Sequence, residues 1–232
     1  MQYKHLEISL LSLSTYFLFC ICRMITEIVL LIERSLFMDK KNKTFRMVLL
    51  GMLSSIIIIQ TTIPFLGYIP IGPLSLTVIQ VTVIIAAIVL GMKEGAIIGG
   101  IWGLITFIRA FIAPTSLIAP IVFTNPLISV LPRILIGVVA AYVFHRLLSG
   151  KLNETARMSV AGVLGSLTNT VLVLGFIYLF YREPYANFLK MDLEQLLPAL
   201  LTIVATNGIT EAVLSGVLTP IISKPLIGLR KK

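Results

Sequence analysis

The chain has 232 residues, of which 57% are hydrophobic and only 12% charged, and its mean hydropathy is +1.01. A soluble domain of this length cannot hide so much apolar surface, and the same figures exclude disordered, collagen-like and disulfide-rich secreted chains. In the integral membrane protein that remains, the net charge of +9 reads as basic cytoplasmic loops rather than as affinity for nucleic acid.

Residues 1–37 differ from the rest. An apolar run from Ile8 to Cys22, closed by Arg23, is marginal for a span, and the patch Ile28 to Ile32 is bracketed by Glu27, Glu33 and Arg34. Three basic and three acidic residues cancel there, so the whole net charge belongs to 38–232. The segment reads as an atypical extension outside the native protein with translation starting at Met38, as an extra amphipathic helix, or as a signal peptide without its usual cleavage site. Cys20 and Cys22 are too close to pair with each other, so no disulfide is required.

From Met38 on, the pattern predicts an all-α, polytopic bundle of six transmembrane helices. The spans are Phe45 to Ile63, Leu76 to Met92, Ala96 to Ile112, Leu127 to Leu148, Met158 to Tyr181 and Leu196 to Ile222. One set of connections and tails carries twelve basic residues: Lys40, Lys41, Lys43, Arg46, Lys93, Arg146, Lys151, Arg157, Lys224, Arg230, Lys231 and Lys232. The other set holds only Arg109 at its edge, Arg182 and Lys190. The positive-inside rule then places both termini in the cytoplasm of a multi-pass cell-membrane protein.

The first outer connection, Thr61 to Ser75, has no charge, three prolines and two glycines. It is expected to be non-helical and, being apolar, to fold back as a lid or lie at the interface. Tyr68 belongs to it. The connection from Ala113 to Pro126 has the same character. Together they suggest a cavity that opens outward.

Ionisable groups at membrane depth default to functional roles. Arg133 lies in span four, Glu211 in span six, and Arg109 closes span three. Arg133 and Glu211 are either partners in an ion pair or part of a site. Arg109 either snorkels to the interface or receives an anion. Asn125 is placed at the start of span four. Asn169 and Thr170 lie mid-span five, Thr206 and Asn207 mid-span six, and Thr77 and Gln80 near the outer end of span two. Asn207 and Glu211 share a helix face, and so do Trp102, the only tryptophan, and Arg109. These groups suit a pocket for a small polar organic molecule. Span one carries Gly51 and Ser55 four residues apart, a spacing that admits another helix. Gly95, Gly99 and Gly103 form a second small-residue ridge, read as internal packing.

No G-x-x-x-x-G-K-[ST], H-E-x-x-H or G-x-S-x-G motif occurs, and His5 and His145 lack metal-ligand neighbours. No cofactor or metal is implied, and an enzyme is disfavoured.

The blocks LLGMLSSI, GYIPIGPLSLT, VLGMKEGAIIGGIWGLITFIRAF, FTNPLISVLPRILIGVVAAYVF and TNGITEAVLSGVLTPII resemble the substrate-binding S components of energy-coupling factor (ECF) vitamin transporters. The last four look most like pantothenate-type members. The resemblance covers about residues 38–232 and implies a non-enzymatic, vitamin-binding subunit in the lipid membrane. Such a subunit docks on a transmembrane coupling protein driven by two ATPases. It implies that the span-one face with Gly51 and Ser55 meets the coupling protein and that Thr61 to Ser75 covers the vitamin. Candidate ligand-binding residues are Tyr68, Gln80, Trp102, Arg109, Asn125, Arg133, Asn169, Asn207 and Glu211. Folate or riboflavin remains an alternative ligand, and a self-sufficient secondary carrier an alternative mechanism.

Overall fold

The computed structural model describes residues 43–71, 74–114, 119–150, 152–189 and 191–231. The expectations for residues 1–37, Met38 and both cysteines lie outside them. One compact unit spans Leu50–Gly228, and the other takes in the two chain ends, of which only helical residues are described.

In chain order the elements are α1 (Lys43–Thr62), α2 (Pro64–Gly67), β1 (Tyr68–Ile71), β2 (Leu74–Thr77), α3 (Ile79–Val89), α4 (Met92–Ile112), α5 (Ala119–Val122), α6 (Pro126–Ser129), α7 (Leu131–Tyr142), α8 (Glu154–Phe180), α9 (Arg182–Leu189), α10 (Leu193–Ile203) and α11 (Ile209–Lys231). A π-helical turn, Val143–Leu147, prolongs α7, and another, Val204–Gly208, joins α10 to α11. The expected all-α class holds, with one small antiparallel hairpin added. Met92–Ile112, Pro126–Leu147, Glu154–Phe180 and Leu193–Gly228 are long and apolar enough to cross a membrane, while Arg46–Thr62 and Ile79–Val89 are shorter apolar helices.

Two expectations need correction. The second span was expected from Leu76, but Leu74–Thr77 pairs as β2 with β1 in the register Tyr68↔Thr77 and Ile71↔Leu74. The helix therefore starts at Ile79, and its 11 residues cover about 16 Å, half a hydrocarbon core. The connection Thr61 to Ser75 is not wholly non-helical either. Thr61 and Thr62 end α1, and Pro64 begins the single turn of α2, a first-turn position where proline loses no hydrogen bond.

All of α3 is buried, so this short helix is the centre of the packing. On α11, Ile209, Val213, Val217 and Ile221 are exposed, while Glu211, Ser215, Thr219 and Ser223 are buried. Both sets repeat every four residues, so one apolar face meets lipid and one polar face meets protein. Exposed hydroxyls close on their own helices: Ser55 donates to Gly51 O at 2.9 Å and Thr206 to Thr202 O at 2.8 Å. Thr206 therefore does not face the interior as expected.

The glycine ridge on α4 does pack internally. A Cβ at Gly99 would overlap the Arg133 carbonyl, one at Gly103 would lie 2.7 Å from Val130 Cα, and one at Gly95 would lie 2.8 Å from Ala87 Cα. Backbone-to-backbone approach thus joins α4 to α7 and α3. Gly91, with φ +121°, makes the two-residue turn between α3 and α4 that a side chain would strain. A Cβ at Gly51 meets nothing within 4 Å, and Gly51 and Ser55 are both exposed.

Candidate functional site

A cavity of ≈ 440 Å³ opens at the end of Leu50–Gly228 that carries the hairpin. Its walls are Tyr68 and Thr77 from the hairpin, Trp102, Thr106 and Arg109 from α4, Arg133 from α7, and Asn169, Thr170, Val173 and Leu174 from α8. Ile203, Asn207 and Glu211 come from the last span, and Pro114 and Phe123 from the α4–α6 connection. The seven-residue spacing of Trp102 and Arg109 puts both on this wall, as expected. The π-turn Val204–Gly208 adds a residue to the helical repeat next to Asn207, a distortion common at functional sites.

Arg133 and Glu211 are held by different devices. Arg133, 5% exposed, donates from Nη1 to Ile128 O at 2.7 Å. Its guanidinium carbon lies 5.2 Å from the Trp102 ring centroid and 5.1 Å from that of Phe123, within cation–π range. Glu211 Oε1 accepts from the Thr77 amide at 2.8 Å, so the last span fastens the hairpin. The expected alternative of an Arg133–Glu211 ion pair is not what holds them. Burial raises the Tyr68 hydroxyl above the ordinary tyrosine value of 10.0, with the Arg133 and Arg109 charges pulling the other way.

Gln80 and Asn125, both expected in the pocket, do not line it. Asn125 accepts from Leu127 N at 3.0 Å as the N-cap of α6, ahead of Pro126 in the first turn. Gln80 is fully buried behind the wall. Its Nε2 donates to Ser166 Oγ at 2.9 Å and lies 3.4 Å from Glu211 Oε2, and its Oε1 is 3.5 Å from Asn169 Nδ2. An ionised carboxylate only accepts. Glu211 therefore fixes which end of Gln80 is the amide nitrogen, and Gln80 in turn fixes Asn169. The Asn169 oxygen is left without a partner.

Five buried wall atoms lack a hydrogen-bond partner: Trp102 Nε1, Arg109 Nη1, Arg133 Nε, Asn169 Oδ1 and Asn207 Oδ1. The Tyr68 hydroxyl lies near the Trp102 indole without the geometry of a full bond. Buried polar groups are normally paired, so three donors and two acceptors around one cavity describe a ligand carrying both kinds of group. Among the described residues no group of three His, Cys, Asp or Glu side chains could hold a metal.

Phe123 and Thr106 escaped the reading of the sequence. Phe123 sits in a connection with no periodicity to read, and Thr106 looks like any helix threonine, bonded to Trp102 O at 2.9 Å. Phe107 and Phe111 pack edge-to-face on each other at 5.2 Å, with Phe111 largely exposed.

Comparison with known proteins supports the same reading. A pantothenate transporter, PanT, of Leuconostoc mesenteroides subsp. mesenteroides is 36% identical over 197 residues, covering 82% of this chain and 96% of the relative. A pantothenic acid transporter, PanT, of Lactococcus lactis subsp. cremoris is 34% identical over 193 residues, covering 78% and 92%. The family model described as "ECF transporter, substrate-specific component" matches residues 45–223. With these relatives and a buried polar cavity in a bundle of apolar helices, the chain belongs to the family of ECF transporter substrate-specific components, multi-pass membrane proteins that work with an ECF module.

Proposed function

We propose that this chain is the pantothenate-binding subunit of an ATP-driven ECF importer, capturing the vitamin outside the cell and delivering it inside. The observation that carries the reading is the set of unpaired polar atoms in the cavity. Pantothenate has one carboxylate, two hydroxyls and an amide, which together supply the acceptors and donors those atoms lack. Relatives named for pantothenate transport agree with it. Arg109, Trp102, Tyr68, Asn169, Asn207 and Glu211 contact the ligand, Arg133 braces the wall behind them, and Gln80 holds two of them in place.

The partners are a transmembrane coupling protein and two ATPase subunits, with hydrolysis left to them. The exposed small-residue face of α1 at Gly51 and Ser55 is where another helix approaches closely. The distribution of basic residues supports cytoplasmic placement of both termini. The hairpin end of the cavity then faces outward. The test is titration of pantothenate into the purified full chain, followed by uptake in vesicles with and without the ECF module and ATP. Binding with module-dependent uptake supports the reading. Failure to bind pantothenate overturns the ligand, and uptake without the module overturns the mechanism.

A further inference from the structure

The two arginines of the cavity are not equivalent. Arg133 is spent on the protein: one terminal nitrogen is bonded to Ile128 O, and its plane lies between the Trp102 and Phe123 rings. Its Nε is buried without a partner. Arg109 stands on the last turn of α4, where its buried Nη1 has no acceptor. It lines the main cavity and an adjoining water-sized void of ≈ 10 Å³ with Tyr68 and Phe123. A terminal guanidinium nitrogen with free N–H groups is the part of arginine that receives a carboxylate.

The other side of the cavity has the opposite polarity. Asn169 Oδ1 and Asn207 Oδ1 are acceptors without a partner, and the Glu211 carboxyl lines the cavity beside them. A carboxylate offers no proton to any of these, whereas a hydroxyl does. The chain Glu211–Gln80–Asn169 locks that polarity, because turning the Asn169 amide over would set its oxygen against the Gln80 oxygen. A ligand with an acid at one end and hydroxyls at the other then has one orientation.

Resting on the pantothenate reading, we infer that Arg109 receives the ligand's carboxylate and that Asn169, Asn207 and Glu211 receive its hydroxyl end. Arg133 is a positioning residue that holds the Trp102 and Phe123 walls. Gln80, out of reach of the ligand, sets which end of the cavity accepts protons.

The experiment measures the binding of two compounds to the full chain in lipid nanodiscs: pantothenate, and the analogue in which a primary alcohol replaces its carboxylate. The wild type favours the acid by about tenfold or more, the value of a charge-assisted hydrogen bond. Arg109→Gln brings that ratio to about one by weakening the acid alone, with the alcohol as the internal control for folding. Arg133→Gln weakens both compounds by a similar factor and keeps the ratio. Should Arg109→Gln bind neither compound, Arg109→Lys supplies the ratio, which falls at least about threefold because the fork is lost while the charge is kept. A ratio that survives at position 109, or collapses only at position 133, overturns the assignment while leaving the pantothenate reading intact. A wild type that binds neither compound overturns the ligand reading itself, and the assignment with it.

Discussion

Replacing Gly99 by alanine tests whether the close approach of α4 and α7 sets the geometry of the cavity. The added Cβ would overlap the Arg133 carbonyl oxygen, and would lie 2.7 Å from the Arg133 carbonyl carbon and 3.2 Å from Ile134 Cα. Ordinary contact starts at 3.4 Å, so the backbones must part by roughly 0.7 Å at the carbon, and further at the oxygen. No flexible side chain can take up the shift, because the obstacle is the main chain of the residue that carries the buried guanidinium. Overpacking of this kind costs about 1–3 kcal/mol, and a backbone obstacle belongs at the upper end. Part of that cost falls on the site, since Arg133 moves with its helix away from Trp102. The expected result is a fall in ligand affinity of about tenfold or more, together with a lower melting temperature. Trp102, the sole tryptophan and fully buried beside Arg133, reports both through its fluorescence. The control is Gly100→Ala, whose Cβ would lie 3.6 Å from Ile134 Cγ1, an ordinary contact. Equal stability and equal affinity in the two variants would refute the argument that this seam positions the site.

Three further outcomes are expected. Gly51→Leu and Ser55→Leu keep ligand binding within about twofold, since space at these exposed positions is free, but abolish module-dependent uptake; unimpaired uptake removes this face from the interface. Glu211→Ala strips the Thr77 amide of its acceptor, and leaving a buried donor unsatisfied costs about 1–3 kcal/mol; amide hydrogen exchange at Thr77 should quicken about tenfold or more, and unchanged exchange would show that the hairpin is held by other means. Because burial raises the Tyr68 hydroxyl above 10.0, the folded state binds that proton more tightly than the unfolded chain does. Its stabilising contribution is complete below pH 10 and is lost as pH rises through the folded value. Tyr68→Phe should flatten part of the alkaline fall in melting temperature, and an identical profile would remove Tyr68 as its source.

The parts of the fold set by lipid were legible, because the bilayer imposes length and apolarity on each helix. The boundaries of α4, α7 and α8 accordingly lie within a few residues of expectation. The second span was misplaced because Leu74–Thr77 is as apolar as the helix that follows, and hydropathy alone cannot separate a strand from a helix in such a run. In the site, ionisable groups stood out against the apolar background, so Arg109, Arg133 and Glu211 were found from their rarity. Their partners were not. Gln80 looked like a wall residue because a buried amide signals polarity but not which way it points. Asn125 looked like one too, since a cap and a ligand contact use the same side chain. Phe123 could be found only once the connection carrying it had folded over Arg133.

The four-residue repeat on α11 has a mechanical consequence. Turning that helix by a single residue, about 100°, would carry Glu211 from its protein-facing side toward lipid. At depth a bare carboxylate costs roughly 2.5–3.5 kcal/mol there, before the loss of the Thr77 and Gln80 contacts. The helix is therefore keyed against rotation about its own axis, and the glycine seam prevents α4 and α7 from approaching any closer.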